Sequence, residues 1–350
     1  MNVHFCTPPP AQRVGGLNAA IDGLRAALVR AGATVDEALP DIAEGEHIVH
    51  FHGLWQLGCV RQAKRCGALG MPYVVSPHGM LEPWAMRHKW WKKWPYFFLV
   101  EKHFLSRADG LLATGCLESE RLKKLIPGQR IESLPLGMTG TAQPNYAAAR
   151  AQLGWSRDER VLLFLSRLHV KKGLELLLRA LAKVDRRESA RLVIVGGGEA
   201  DYVHSVHKLA GELGDALPRV DWIGEVWGED RWPYFQGADL FCLPTFSENF
   251  GLAVLDACQV GTPVLTTSAT PWVEHLDSGR GTICEPREDR VREALVRILN
   301  EPRRTPEARN ALSEWAWSTF HWDALAPRYL ACYAQAISLS PARRRLHQSP

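Results

Sequence analysis

The sequence lacks several features that would place it in a whole class of proteins. No apolar stretch reaches the roughly 20 residues that a membrane-spanning helix needs. The start of the chain shows no charged segment followed by an apolar one, so we expect no signal peptide. The net charge of +4 is small for 350 residues and does not indicate a nucleic-acid-binding surface. We therefore expect a cytoplasmic globular protein that does not bind nucleic acid.

The cysteines form no recognisable pattern. None stands in a C-x-x-C pair, so zinc is not indicated, and their spacing does not resemble a disulfide framework. Several lie inside apolar runs. We expect free, buried thiols in a reducing compartment at Cys6, Cys59, Cys66, Cys116, Cys242, Cys258, Cys284 and Cys332.

What the sequence does contain is an alternation of short apolar runs with helix-length segments. The runs are rich in Val, Ile and Leu, which predicts parallel strands covered on both faces. Predicted strands lie at 47–51, 73–76, 110–114, 160–166, 190–196, 219–224, 239–244 and 262–267, and predicted helices include 17–31, 117–126, 173–184 and 250–260. This pattern predicts an α/β fold of two doubly wound halves with a linker at 136–146. Ligands should bind at the carboxyl ends of the strands.

Basic residues follow the predicted strand at 160–166. Arg167, Lys171 and Lys172 come just before a helix that begins near Gly173. A guanidinium, two ammonium groups and free backbone N–H groups at a helix N-terminus all favour phosphate. The alternative is that the three charges are solvated surface residues, and the local sequence leaves both interpretations open.

Glycines follow the first strand of the chain and the predicted strand at 190–196. Gly15 and Gly16 open the helix at 17–31, and Gly198 lies in the run VIVGGGEAD. A glycine in such a turn lets the backbone approach a phosphate, although a tight turn alone also explains it. Because neither stretch reads G-x-G-x-x-G, a nicotinamide site is not indicated.

Single polar residues follow two further strands. His78 could carry charge near neutral pH, or it could be a histidine packed beneath a loop. Glu248 lies at the start of the helix predicted at 250–260, so it either meets the helix dipole favourably or holds a ligand. Asp256 stands a little over two helical turns further on, and Gly251 would allow close approach of the backbone to a ligand.

Together these residues resemble the GT4 family of retaining glycosyltransferases, whose GT-B fold consists of two Rossmann-like domains facing a cleft. The resemblance covers nearly the whole chain, and its most specific parts are SRLHVKKG and SENFGLAVLDACQVGTPV. The stretch HFHGLW…SPHGMLEPWA resembles the subgroup that builds bacterial surface polysaccharides. One position departs from the family: the pattern E-x7-E ends here in Asp256, whose carboxylate is one bond, about 1.5 Å, shorter.

The resemblance implies transfer of a sugar from a nucleotide-diphosphate sugar to an acceptor hydroxyl with retention, without a metal or other cofactor. The acceptor would be a saccharide or a lipid-linked saccharide. By matching positions, Arg167 and Lys172 would neutralise the leaving diphosphate. Glu248 and His78 would contact the donor sugar, and Asp256 would hold the ribose. Further donor contacts are expected at Gly15, Gly16, Gly198, Asn249, Phe250, Gly251 and Leu252.

The resemblance also implies a domain organisation. Residues 1–140 would form an acceptor-side domain, and residues 141–322 would bind the nucleotide sugar. Residues 323–338 would form a helix that crosses back to the first domain. The basic tail at 339–350 is expected to be disordered.

The stretch 82–104 combines four tryptophans with Arg87, Lys89, Lys92 and Lys93. This mixture suits the surface of a membrane that contains anionic lipid. The alternative is that the aromatic residues pack into the domain while the lysines are solvated. Pro95 is predicted to start a second helix rather than to lie inside one.

Two other functions remain open. One is a related GT-B enzyme, either an epimerase or a phosphorylase. The other is a catalytically silent GT-B module that binds only a nucleotide or a partner protein. Asp256 favours the silent module, whereas Arg167, Lys172 and Glu248 argue for an enzyme.

Overall fold

The chain forms two compact units, each built around one parallel sheet. The structure is a computed structural model that describes residues 1–8, 16–39, 46–138, 140–184, 190–276 and 279–340. Unit 1 comprises Met1–Thr139 and Phe320–Pro350, and unit 2 comprises Gly140–Thr319. Gly15 and all but the first two residues of the predicted tail at 339–350 lie outside the described residues.

Strands and helices alternate along both units. The strands are β1 (Asn2–Cys6), β2 (Thr34–Asp36), β3 (His47–His52), β4 (Tyr73–Ser76), β5 (Gly110–Ala113), β6 (Ile131–Ser133), β7 (Arg160–Leu165), β8 (Ala190–Val195), β9 (Arg219–Gly224), β10 (Leu240–Leu243), β11 (Val264–Thr267) and β12 (Gly281–Cys284). The helices are α1 (Leu17–Arg30), α2 (Leu57–Ala68), α3 (Pro83–Arg87), α4 (Trp90–Tyr96), α5 (Lys102–Ser106), α6 (Cys116–Leu125), α7 (Tyr146–Gln152), α8 (Leu174–Leu181), α9 (Ala200–Leu213), α10 (Trp232–Gly237), α11 (Leu252–Gln259), α12 (Glu288–Asn300), α13 (Pro306–Phe320) and α14 (Trp322–Leu339).

Both sheets have six strands, and all their strand pairs are parallel. The order is β2-β1-β3-β4-β5-β6 in unit 1 and β12-β11-β10-β7-β8-β9 in unit 2. The central strands are buried on both faces, as in β3, where Ile48, Val49 and Phe51 are fully inaccessible. The predicted parallel α/β fold of two doubly wound halves is therefore confirmed.

The eight strands predicted from apolar runs all exist, with ends within two residues of the prediction. The first strand, expected before Gly15 without stated bounds, is β1, and the short strands β2, β6 and β12 were not predicted. Each of these three short strands lies at an edge of its sheet and has only three or four residues, several of them partly exposed. An edge strand of this length leaves little hydrophobic pattern to read.

The C-terminal helix α14 packs inside unit 1. Trp322 occupies the space beside two glycines: a Cβ on Gly23 would come within 2.1 Å of the indole, and one on Gly137 within 2.4 Å. The hydroxyl of Tyr333 lies 2.8 Å from Nδ1 of His50 on β3. Asp323 accepts a hydrogen bond from Nε of Arg30 on α1 at 2.9 Å. Side chains of α14 thus complete the core of unit 1.

The segment around Pro95 differs from the prediction. Pro95 lies inside α4, which continues directly into a π-helical turn at Phe97–Glu101 and then into α5. The prediction that Pro95 begins a second helix is therefore wrong. The helix begins at Trp90, five residues earlier than proline alone indicates, and the wide turn that follows accommodates the altered backbone hydrogen bonding.

All eight cysteines are thiols outside any disulfide, as predicted, but only Cys59, Cys66, Cys242, Cys258 and Cys332 are buried; Cys6, Cys116 and Cys284 are partly exposed. Within the described residues, no helix combines the length and the apolar character that crossing a membrane requires.

Trp322 provides a test of how much α14 contributes to unit 1. We expect Trp322→Ala to lower the free energy of unfolding by about 3–5 kcal/mol, because it leaves a cavity beside Gly23 and Gly137. Trp227 is 72% exposed and is the matched control. Trp227→Ala should change stability by less than about 0.5 kcal/mol. Urea unfolding followed by circular dichroism measures both, and equal midpoints would contradict the prediction.

Candidate functional site

Two loops at the carboxyl ends of β7 and β10 touch through their backbones. Gly173 adopts φ 76° between the first loop and α8, and a Cβ there would lie 2.0 Å from the carbonyl oxygen of Pro244. Only glycine fits this position, for both conformational and steric reasons. The loop after β7 is therefore held directly against the loop after β10.

Hydrogen bonds fix the register of these two loops. The backbone N–H of Phe246 and the hydroxyl of Thr245 both donate to the carbonyl oxygen of Lys171, each at 2.8 Å. As a result, Nζ of Lys172 donates to Oε1 of Glu248 in an ion pair. The Glu248 side chain is only 7% exposed. A cation and a carboxylate proposed separately from sequence are brought together here.

The loop after β7 carries a concentration of positive charge. Arg167 is exposed just beyond the end of β7. Burial lowers the pKa of the neighbouring His169, and the charges of Arg167, Lys171 and Lys172 lower it further, against the opposing effect of Glu199. A field that disfavours a protonated imidazole favours an anion, so this loop is suited to a phosphate group.

Glu248 does not lie in a helix. Helix α11 begins at Leu252, and its N-cap Gly251 has φ 83°, which is left-handed. Glu248 stands in the preceding loop, where its backbone N–H donates to the carbonyl oxygen of Ala269 at 3.1 Å. The predicted helix therefore begins two residues later than expected, and Glu248 lies in the loop before it, beside the N-cap Gly251. The left-handed glycine delays the helix and leaves the carboxylate free to meet Lys172.

Asp256 lies inside α11 and makes a different contact. Its Oδ2 accepts a hydrogen bond from Nε of Arg231 at 3.2 Å. The Arg231 guanidinium also lies 4.1 Å above the ring centroid of Trp232. Sequence reasoning did not identify Arg231, because it follows a loop of ordinary charged residues and its partner is 25 positions away. Asp256 is thus a buried, paired carboxylate on the same element that follows the Glu248 loop.

Two of the other predicted donor-binding residues of unit 2, Phe250 and Gly198, have packing roles. Phe250 is buried, and its carbonyl oxygen accepts a hydrogen bond from Nε1 of Trp272 at 2.6 Å. Leu252 is the first residue of α11 and Asn249 is partly exposed in the loop before it. Gly198 lies so close to the loop after β7 that a Cβ would come within 2.1 Å of the Leu168 carbonyl oxygen. A tight backbone contact therefore explains that glycine.

In unit 1, His78 occupies the turn after β4 in a left-handed conformation with φ 52°, which is uncommon for a residue other than glycine. Its Nε2 lies 3.0 Å from Nδ1 of His52, and the two rings are stacked. Burial lowers the pKa of His78 to about 4. The imidazole is therefore neutral near pH 7 and can donate or accept a hydrogen bond without carrying charge.

A buried carboxylate holds the turn that contains His78. Oε1 of Glu118 accepts a hydrogen bond from the N–H of Gly79 at 2.6 Å. Oε2 accepts from the N–H and the hydroxyl of Thr114 at 2.8 and 3.0 Å. Burial raises the pKa of Glu118 to about 7, and these three hydrogen bonds oppose the rise. Glu118 was not identified from sequence, because it has the appearance of an ordinary residue in the first turn of α6.

Sequence reasoning also missed the histidines of β3. His50 lies 2.7 Å from the hydroxyl of Ser76 and beside His52, with ring centroids 3.8 Å apart. Burial, followed by the nearby His78, lowers the pKa of His50 well below its usual range. The alternation in HIVHFH offered the signal, since residues two apart in a strand share a face.

Gly16 is the N-cap of α1, and its carbonyl oxygen accepts a hydrogen bond from the N–H of Ala20 at 3.0 Å. It is exposed and lies at the N-terminus of α1. Across the part of the chain that the structure describes, no group of three or more His, Cys, Asp or Glu side chains could hold a metal ion.

Family models match both units. Residues 145–317 match the model described as "Glycosyl transferases group 1", and residues 42–138 match "Glycosyltransferase Family 4". The first match falls within unit 2 and the second within unit 1. The two matches support a glycosyltransferase of the family 4 type, and the two parallel-sheet Rossmann-like units have the fold of GT-B glycosyltransferases.

Curated proteins similar to this chain include two that are named as glycosyltransferases. The chain is 33% identical over 207 residues to a D-inositol 3-phosphate glycosyltransferase of Mycobacterium bovis, covering 57% of this chain and 42% of that one. It is 29% identical over 193 residues to an uncharacterized glycosyltransferase of Methanocaldococcus jannaschii, covering 54% and 48%. The chain therefore spans about half the length of the curated relatives it matches.

Solved structures resemble the whole chain. A sucrose-phosphate synthase from Thermosynechococcus elongatus gives a TM-score of 0.73 at 21% identity, covering 97% of this chain and 100% of that one. Anabaena HepE in complex with UDP and glucose also gives 0.73, at 18% identity, covering 95% and 99%. At these identities the likeness concerns the fold.

The buried state of His78 predicts a pH dependence. The folded chain should keep His78 neutral down to about pH 4, whereas an unfolded chain takes up this proton near pH 6.5. The contribution of His78 to stability is therefore complete above pH 6.5 and is lost as pH falls toward 4. Imidazole resonances followed by NMR during titration test this. The His78 signal, assigned by its absence in His78→Gln, should not move between pH 7 and 5; a midpoint near 6.5 would contradict the prediction.

Proposed function

We propose that the protein transfers a sugar from a nucleotide-diphosphate sugar to an acceptor hydroxyl with retention of anomeric configuration. The Lys172–Glu248 ion pair carries this proposal. It brings a cation suited to a diphosphate next to a carboxylate suited to sugar hydroxyls, at the carboxyl ends of parallel strands. The matched family models and the GT-B fold support the same reaction class. HepE, a protein of similar fold, has been crystallised with UDP-glucose, which supports a donor of this type.

The chemical difficulty is charge separation. As the bond between the anomeric carbon and the diphosphate oxygen breaks, the diphosphate gains negative charge and the sugar becomes cation-like. Arg167 and Lys172 would stabilise the leaving diphosphate, and backbone N–H groups at Gly16 and around Phe250–Leu252 would add to this. No metal ion is then needed for that step. A protein nucleophile is not required either, if the acceptor oxygen attacks from the face that the diphosphate leaves and a diphosphate oxygen takes the acceptor proton.

Glu248 would bind the donor sugar through its hydroxyls, while Lys172 holds the carboxylate in place until the sugar arrives. His78 would contact the sugar near the reacting carbon as a neutral hydrogen-bonding group, in keeping with its lowered pKa. Asp256 would bind the ribose hydroxyls, with Arg231 fixing its orientation. The acceptor class is proposed to be a saccharide or lipid-linked saccharide of bacterial surface polysaccharide synthesis, on the basis of the N-terminal sequence resemblance alone.

The second candidate is a silent nucleotide-binding or partner-binding module of the same fold. The pairing of Asp256 with Arg231 favours it, because an ion pair gives this carboxylate a role that needs no ligand. An epimerase of the same fold would instead act on the nucleotide sugar without a glycan acceptor, and a phosphorylase would cleave a glycan with inorganic phosphate. Turnover of a nucleotide sugar with and without acceptor, and of a glycan with phosphate, separates these functions.

Loss of either cation should reduce turnover strongly. We expect Arg167→Ala and Lys172→Ala each to lower kcat about 100-fold, because one preorganised donor to a developing anion is worth about that much. Lys208→Ala is the control, since Lys208 is an exposed surface residue. Steady-state kinetics with an identified donor, run in a chelator, measure all three. Rates within about threefold of wild type would remove both residues from this role. Loss of wild-type activity in the chelator, restored by Mg²⁺, would contradict the metal-free step.

Asp256 should govern donor affinity. We expect Asp256→Ala to raise the donor KM about tenfold or more, because ribose hydroxyls lose their acceptor. Asp256→Glu should be tolerated, and Glu248→Ala should instead lower kcat. Arg231→Ala separates direct binding from ion pairing, since it should raise KM less than Asp256→Ala does. If Asp256→Ala leaves KM unchanged, or if Arg231→Ala reproduces its whole effect, Asp256 has only the ion-pair role.

A further inference from the structure

The segment from α4 to α5 carries an exposed apolar surface. Trp90 and Trp91 are 60% and 58% exposed, and Phe98 and Leu99 are 60% and 80% exposed. We call these four side chains the aromatic patch. Large apolar groups exposed singly are common, but four of them within ten residues form a cluster that is usually covered by something.

These side chains are exposed on a segment whose neighbouring residues are well packed. The π-helical turn that holds Phe98 and Leu99 also places Phe97 and Glu101 in the core of unit 1. Phe98 stacks on Trp94 with ring centroids 5.7 Å apart, and Trp94 in turn packs against the core. The patch therefore rests on a buried foundation, with one face of the helix inside and the other outside.

The exposed charged side chains of this segment are basic. Between Glu82 and Glu101 there is no acidic residue, whereas Arg87, Lys89, Lys92 and Lys93 are all basic. Arg87, Lys89 and Lys92 are exposed. Lys93 instead donates to the carbonyl oxygen of Ala85 at 2.6 Å. The patch is thus bordered by basic residues, with no acidic residue between positions 83 and 100.

The sequence left two alternatives for the tryptophans of this segment, contact with a membrane surface or packing into the domain. The structure shows different environments for different tryptophans. Trp94 contacts the core, while Trp90 and Trp91 do not reach it. We propose that the aromatic patch and its basic border dock on the surface of an anionic phospholipid bilayer. Exposed indoles suit the headgroup boundary, and the cations complement anionic lipid. The proposal deepens the proposed function, because a lipid-linked acceptor would be met at such a surface, but it does not depend on catalysis.

Vesicle binding tests the proposal without any nucleotide sugar, so its failure is distinguishable from failure of the proposed reaction. The full-length chain is sedimented with vesicles of phosphatidylcholine alone or of phosphatidylcholine mixed with phosphatidylglycerol. Two double variants are compared with wild type: Trp91→Ser with Leu99→Ser, and Lys89→Gln with Lys92→Gln. The matched controls are Trp227→Ser for the exposed indole, and Lys183→Gln with Lys208→Gln for the exposed lysines.

We expect wild type and controls to bind vesicles with phosphatidylglycerol in preference to phosphatidylcholine alone. The Lys89/Lys92 variant should bind at least tenfold more weakly, since each basic residue near an anionic surface contributes about fivefold. The Trp91/Leu99 variant should also bind at least tenfold more weakly, because it loses the apolar area that enters the headgroup boundary. Unfolding midpoints equal to wild type show that the variants are folded. Weak or equal binding of wild type to both vesicles overturns the proposal, as does vesicle binding by the double variants at the level of the controls. A wild-type dimer in size-exclusion chromatography that the Trp91/Leu99 variant dissolves would assign the patch to a second copy instead.

Discussion

The close approach of two loop backbones is the constraint on which the candidate site in unit 2 depends. The carbonyl oxygen of Pro244 takes the space that any side chain at Gly173 would need. Because the loops meet without side chains between them, Lys172 and Glu248 fall within reach of each other. Backbone packing thus brings the two side chains close together, and their opposite charges then form the ion pair. The same contact fixes the loop that carries Arg167, so the positive field is oriented before a ligand binds.

Unit 1 reaches a similar result by a different means. There a buried carboxylate, Glu118, gathers three hydrogen-bond donors from two separate turns and so fixes the strained conformation of His78. Burial keeps that imidazole neutral. In each unit, then, the candidate functional side chain projects from a loop whose own backbone is held by contacts with a neighbouring element. Contacts that hold the backbone of a surface loop also hold its functional side chain in a defined position.

The sequence predicted the parallel sheets because buried strands leave an uninterrupted apolar run, which needs no knowledge of distant partners. It also located Lys172 and Glu248, since each follows such a run. It could not locate the Arg231 contact with Asp256, because pairing across 25 residues depends on how α10 and α11 pack. The helix start at Leu252 was placed two residues early because residue type alone does not show that Gly251 is a left-handed N-cap. Pro95 was misplaced because a π-helical turn leaves no signature in periodicity.

The packing of α14 has a consequence for the order in which the chain can fold during its synthesis. Unit 2 is continuous in sequence, so all its strands have left the ribosome once residue 319 is clear. Unit 1 begins the chain, yet it lacks Trp322 beside Gly23 and Gly137, and Tyr333 against His50, until the last helix emerges. Unit 1 is therefore synthesised before unit 2 but completes its core after it. The core of unit 1 stays incomplete while the ribosome translates the about 180 residues of unit 2.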